Sequence, residues 1–232
     1  MKDLIIGMAA GYSDDDLKPF VNSLKRTGYD GNLVLIRQNP YAVHPILSRF
    51  DLIPRYIMRG FRYVIACDTS DIVFQSNPMT WLEKNLGKHP LCVVSEETTF
   101  ARSMGNKKNM QEAFPDFWEE MKDEEVCNAG VIAGTEQWIS WICKGIYEMC
   151  LTDARVNAAP IKQLTWDEMI SDQSALNIII RKFCPDALIA HAGDNFVHEY
   201  SHPGNGENAA ILHQYLYNRR EEIRQKYLDN SG

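Results

Sequence analysis

Two carboxylates at i and i+3, Asp68 and Asp71, follow directly on the apolar run Tyr63-Val64-Ile65-Ala66-Cys67 and precede another, Ile72-Val73-Phe74. A β-prone run that ends in acids places them where a buried strand leaves a sheet, and open α/β sheets bind their ligands there. Carboxylate oxygens suit a hard divalent cation, which can in turn hold phosphates. The competing reading is a chain reversal or a cap, because Asp68-Thr69-Ser70-Asp71 is built of turn formers.

Further polar groups stand beside predicted strand ends and helix starts. Arg49, upstream of the acids, can pair with a carboxylate or a phosphate, or form a plain structural salt bridge. Asn128, in Cys127-Asn128-Ala129-Gly130-Val131, offers the donor and acceptor that hydroxyl recognition needs. Gly130 permits close approach of a ligand or a backbone; a tight turn into a strand explains the same residues. Asp172 and Gln173, ahead of Asn177, open a predicted helix. There Asp172 is either a charge favoured by the helix dipole or a ligand or acid/base group. His213 follows Ile211-Leu212 after a Gly/Asn-rich loop. Imidazole is a common partner to carboxylates on a transition metal; a structural histidine is the alternative. His198 and His202 flank the same loop and are weaker candidates, because Glu199-Tyr200 between them reads as an ordinary strand end.

These groups need a scaffold. Residues 4–10 read as a buried strand, 11–13 as a turn, and Leu17, Phe20, Val21 and Leu24 as the stripe of a helix that ends at Gly28. Residues 33–36 complete a strand–helix–strand unit, the sign of a parallel sheet. Pro45 fits the start of a helix that Pro54 is expected to kink or split. Asn77-Pro78 opens a helix through Leu86. Residues 91–94, 126–133, 188–190 and 196–197 read as strands, and 135–150, 167–182 and 215–228 as helices. Residues 98–112 lack a clean period and read as a loop or lid. With no linker, repeat or composition break, the expectation is one α/β domain over residues 1–232, a mostly parallel central sheet flanked by helices.

Composition excludes several classes. The net charge is −7 and there is no Lys/Arg block, which disfavours a nucleic-acid partner but not a nucleotide whose phosphates a metal neutralises. No apolar run approaches the ~20 residues of a membrane span. Asp3 and the immediate start of a folded-looking segment argue against a signal peptide. The six cysteines lack CxxC spacing and read as small buried hydrophobes of a reducing, cytoplasmic compartment. Oligomeric state is not encoded in any of these signals.

Taken in chain order, the segments are more specific than any one alone. They run from the first strand and Arg49 to Asp68-x-x-Asp71-h-h-Phe74-Gln75-x-x-Pro78, where h is apolar. Asn128-Ala129-Gly130 with Gly134 comes next, then Asp172-Gln173 with Asn177, then His213-Gln214-Tyr215. This series resembles the GT-A glycosyltransferases, closest to a branch of plant, bacterial and large-virus enzymes with a DxxD segment in place of strict DxD. It spans residues 4–217. The resemblance implies a Rossmann-like GT-A domain and metal-dependent transfer of a sugar, with retention. The donor would be a nucleoside-diphosphate sugar, a UDP-sugar first, and the acceptor a hydroxyl of a glycan or glycoconjugate.

It also implies a site. Asp71 and His213 would hold Mn²⁺ or Mg²⁺, with Asp68 a further ligand or bonded to the ribose. Ala9, Ala10, Gly11 and Tyr12 would take the nucleobase and ribose, Tyr12 by stacking. Arg49, Thr69, Ser70 and Gln173 would contact the donor, and Asn128 and Asp172 the sugar hydroxyls. The 98–112 lid would close over the donor. Thr69 stands where the first metal aspartate of a strict DxD falls if Asp71 is aligned with the second, a departure that displaces Asp68 by one residue. Two rivals remain. One is a non-catalytic nucleotide-sugar or carbohydrate binding module. The other is a metal-dependent phosphohydrolase, which needs a nucleophilic aspartate or a second acidic cluster near the first strand.

Overall fold

Leu4, Ile5 and Ile6 of β1 (Lys2–Met8) are fully buried, and their side chains alternate between two cores. A strand apolar on both faces belongs inside a sheet covered on both sides. The computed structural model, which describes residues 1–40, 44–57, 60–153, 156, 171–214 and 220–228, places it there. β1 pairs in parallel with β2 (Asn32–Ile36) and β3 (Phe61–Cys67). The sheet has six strands in the order β2-β1-β3-β6-β5-β7. β6 (Glu125–Gly134) is antiparallel to both β3 and β5 (Leu91–Thr99), and β7 (Leu188–Ala190) is parallel to β5. The sheet is therefore mixed but mostly parallel, as expected.

Leu4, Ile6 and Val64 pack with α2 (Pro45–Tyr56), α6 (Glu136–Cys150) and α7 (Asp172–Phe183) on one face. Ile5, Ile65 and Cys67 pack with α1 (Asp14–Arg26), α3 (Pro78–Asn85) and a second, small sheet on the other. Local chemistry sets the helix starts. Ser13 and Asp16 form a reciprocal capping box on α1, and Asn77 caps α3 through the Met79 N–H at 3.1 Å. The α6 stripe of Ile139, Ile142, Cys143, Ile146 and Cys150 is buried as its spacing predicts. All six cysteines are buried free thiols. Among the described residues no helix is long and apolar enough to cross a membrane.

The structure departs from the sequence reading at several elements. Pro54 does not split α2, which ends two residues later at Tyr56. A proline here gives up its own bond to the Phe50 carbonyl, and the helix stops within the same turn rather than running on past it. The stretch read as a lid contains a ten-residue helix, α4 (Met104–Ala113). Only Met110 of α4 is buried, so it has no apolar stripe to betray it. A short helix, α5 (Trp118–Met121), leads into β6. β5 runs on to Thr99, past the apolar residues that were read as the strand. The expected helix over 167–182 is seen from Asp172, and its residues 167–170 lie outside the described residues. The terminal helix is α8 (Arg220–Leu228), and residues 215–219 likewise lie outside.

The small sheet carries β4 (Ile72–Phe74), β9 (Ile211–His213) and β8 (Val197–His198), with β9 in the middle. Val73 and Leu212 meet Ile223 and Tyr227 of α8 in a small cluster of their own. α8 is tied to α1 as well, by Asn22 Nδ2 donating to the Tyr227 carbonyl at 2.9 Å. Arg26 Nη1 donates to the Lys226 carbonyl at 2.7 Å.

Candidate functional site

Asp68 is the first residue beyond β3, and its N–H continues the ladder to the Gly130 carbonyl at 2.8 Å. Asp71 directly precedes β4. In the antiparallel β4–β9 pair Ile72 lies opposite His213, which brings a distant imidazole to the two acids. One ligand atom from each of Asp68, Asp71 and His213 lies within 4.8 Å of the others. His213 is only 2% exposed, and its Nε2 faces Asp68 Oδ2 at 3.4 Å and Asp71 Oδ1 at 3.8 Å, hydrogen-bonded to neither. Its Nδ1 is 2.8 Å from Glu199 Oε2. A Cβ at Gly130 would fall on the His213 ring, so the glycine of the NAG segment makes room for the imidazole.

Burial and mutual charge set the electrostatics of the group. Burial pushes the Asp71 carboxyl up to about 6, helped by Asp68 and Glu199 and opposed by His213. Burial also disfavours the charged imidazole of His213, yet the carboxylates of Glu199, Asp71 and Asp68 outweigh it and hold His213 well above its usual range. Two oxygen donors and a buried ring nitrogen without a hydrogen-bond partner form a group that could hold a divalent metal.

Arg49, 5% exposed, organises the acids from below. Its Nη1 donates to Asp68 Oδ1. Its Nη2 donates to Asp172 Oδ2 at 3.0 Å and to the Ala129 carbonyl at 3.1 Å. Of the partners open to this arginine, carboxylates are those it has here. Burial opposes ionisation of Asp68, but Arg49 and His213 hold its carboxyl below the usual range. Asp172, the first residue of α7, is raised by burial, with Arg49 acting against the shift.

Asn128 and Gln173 meet over a residue the sequence reading missed, Glu96. Asn128 Nδ2 and Gln173 Nε2 both donate to Glu96 Oε1, at 2.9 and 3.0 Å. Gln173 Nε2 also donates to Asn106 Oδ1 of α4 at 2.8 Å, and its Oε1 accepts the Ala129 N–H at 3.2 Å. Asn128 Oδ1 accepts the Gly130 N–H at 2.6 Å. Burial raises the Glu96 carboxyl, against the pull of the two amides. Asn177 is structural: it bonds both the N–H and the carbonyl of Cys127, at 2.8 and 2.7 Å, where the β5–β6 register shifts.

At the end of β1, Ala9 donates to the Ile36 carbonyl at 2.8 Å, Ala10 is half-buried, and Gly11 takes φ +88° in the turn that follows. Tyr12 is 42% exposed, and its carbonyl accepts from Arg37 Nη1 at 3.3 Å. Thr69 is buried, and its hydroxyl donates to the Met8 carbonyl at 2.7 Å, strapping β1 to the Asp68–Asp71 turn. Ser70 is half-buried within that turn. Gln75 clips the Gly/Asn loop by donating to the carbonyls of Gly206 and Ala209, at 2.7 and 2.9 Å. Glu96, Asn106 and Glu199 escaped the sequence reading. Glu96 had a usable signal, since Ser95-Glu96-Glu97 follows an apolar run just as Asp68 does.

Solved structures share this architecture. The galactosyltransferase LgtC, solved in complex with donor and acceptor sugar analogues, matches with a TM-score of 0.58 at 16% identity, over 97% of this chain and 96% of that one. A glycosyltransferase involved in glycosylation of the major capsid of PBCV-1 matches with a TM-score of 0.58 at 11% identity, over 98% of this chain and 99% of that one. No protein-family model and no curated protein matches the sequence. The fold is that of the GT-A glycosyltransferases, present here over nearly the full length.

Proposed function

We propose that residues 1–232 form a single GT-A domain that transfers a sugar from a UDP-sugar to a hydroxyl of a glycan or glycoconjugate, with a divalent metal and with retention. The observation that carries this reading is the convergence of Asp68, Asp71 and the unpartnered Nε2 of His213 at the sheet edge of this fold. These residues would hold Mn²⁺ or Mg²⁺. When bound, the metal offsets the charge that develops on the diphosphate leaving group.

The chain's own residues do the rest. Ala9 to Tyr12 bind the nucleobase and ribose at the β1 end, with the exposed Tyr12 ring free to stack. Thr69 and Ser70 set the turn beneath the diphosphate. Asn128, Asp172 and Gln173 orient the sugar, and Arg49 fixes Asp68 relative to Asp172. An inverting enzyme needs a carboxylate base at the acceptor hydroxyl. Here Arg49 engages Asp172, while Asn128, Gln173 and Asn106 engage Glu96, which favours retention.

The phosphohydrolase reading, which needs a nucleophilic aspartate or a second acidic cluster near β1, is the weaker rival, because the acids there have other partners. Asp3 is paired with Arg62, Asp14 with Arg37 and Asp15 with Lys18, while Asp16 caps α1. The test is a thermal-shift screen of UDP-, GDP- and dTDP-sugars with and without Mn²⁺, followed by mass spectrometry of the glycan products. Binding to the folded state raises Tm. The reading expects a shift for UDP-sugars that needs Mn²⁺, with turnover of the donor. A metal-dependent shift without any transfer or donor hydrolysis would return the chain to a binding module.

A further inference from the structure

We propose that Glu199 is a positioning residue of the metal site, which holds His213 in the one tautomer that presents Nε2 to the cation. This rests on the metal-dependent reading above. A carboxylate can only accept, so the 2.8 Å contact from Glu199 Oε2 requires the proton on Nδ1. When the ring gives up its second proton to take a cation, the lone pair is therefore on Nε2, the atom that faces Asp68 and Asp71 without a hydrogen bond. Carboxylate–imidazole–metal relays of this kind fix both ring orientation and tautomer.

Glu199 is held as firmly as a positioning group must be. It is 0% exposed, and its backbone N–H donates to His202 Nδ1 at 3.1 Å. That nitrogen therefore carries no proton, and His202 Nε2 donates to the Ser95 carbonyl at 2.6 Å. Ser201 Oγ donates to the Glu96 carbonyl at 3.1 Å. The turn over residues 199–202 is thus pinned to Ser95 and Glu96 within β5, beside the cluster of Glu96, Asn128 and Gln173. Glu199 Oε1 is buried with no hydrogen-bond partner, and a carboxylate so placed is costly unless its charge acts on a neighbour. The neighbour is His213.

The test compares wild type with Glu199→Gln, which keeps the shape but can either donate or accept. Mn²⁺ affinity in the presence of UDP is read by electron paramagnetic resonance. The expected loss is about 10–100-fold. Nitrogen-15 NMR of the metal-free wild-type protein, at a pH high enough to leave the ring neutral, needs no variant to fold and should show His213 protonated at Nδ1 alone. In Glu199→Gln the same signal should spread over both tautomers, which a merely structural role would not cause. Equal Mn²⁺ affinities in the two proteins, or a wild-type Nδ1 without its proton, overturns the role of Glu199. Failure of the wild type to bind Mn²⁺ at all overturns the metal reading itself.

Discussion

His213 is the cross-strand partner of Ile72, and that single pairing sets its imidazole beside Asp71. The candidate metal group therefore depends on a β-ladder register more than on any local motif. A slip of one residue would turn the imidazole to the opposite face of the small sheet.

Asp71→Asn should abolish Mn²⁺-dependent UDP binding and sugar transfer while leaving the fold intact. Burial already holds this carboxyl up to about 6, so its charge costs the metal-free protein stability at neutral pH. That native state gains from a protonated Asp71 below its unfolded pKa and loses the gain as pH rises through about 6. The metal-free Tm of the variant at pH 7 should accordingly equal or exceed that of wild type. Near-normal turnover would move the metal elsewhere.

Metal binding should release protons. The imidazole of His213 is held well above its usual range, and a metal-bound ring nitrogen must be unprotonated. Mn²⁺ affinity should therefore rise with pH. The stability that the protonated His213 gives the metal-free fold is complete below its unfolded pKa, and it is lost as pH rises through the elevated folded one. Calorimetry in buffers of different ionisation enthalpy checks this; a heat independent of the buffer contradicts it.

Arg49→Met should be among the most damaging single changes. It leaves Asp68 and the buried Asp172 without their shared cation, and breaking a buried pair in this way costs about 3–5 kcal/mol. Arg49→Lys should recover only part of that, since one ammonium cannot reproduce the fork. Urea unfolding measures both variants. A loss below about 1 kcal/mol, the range of an exposed pair, would contradict the buried network.

Asp172→Asn should lower kcat more than it weakens donor binding. The acid opens α7 beside Gln173 and lies on the sugar side of Arg49 in the proposed arrangement, away from the metal ligands. Loss of an interaction made in the transition state lowers kcat and kcat/KM together. Steady-state kinetics with unchanged kcat would reduce Asp172 to a partner of Arg49.

Most of the scaffold could be read from the chain because its signals are local. The buried runs of β1, β3 and β6 and the stripe of α6 are periodic within one element. The grouping of Asp68, Asp71 and His213 was also legible, because Asp68 follows β3, Asp71 precedes β4 and His213 ends the apolar β9. What escaped is relational. Glu199 resembles any polar strand end until β9 lies beside it, and α4 shows no stripe because one methionine anchors it. Arg49 could be named, but its choice of carboxylates depends on where β3 and α7 end.

The pairing of β9 with β4 also orders events during synthesis. The six-stranded sheet is complete once residue 190 has been made, but the imidazole that closes the metal group arrives only with residue 213. A nascent chain can thus fold its main sheet around an incomplete centre. In the proposed reading, the capacity to hold a cation comes only once His213 has been made and paired opposite Ile72.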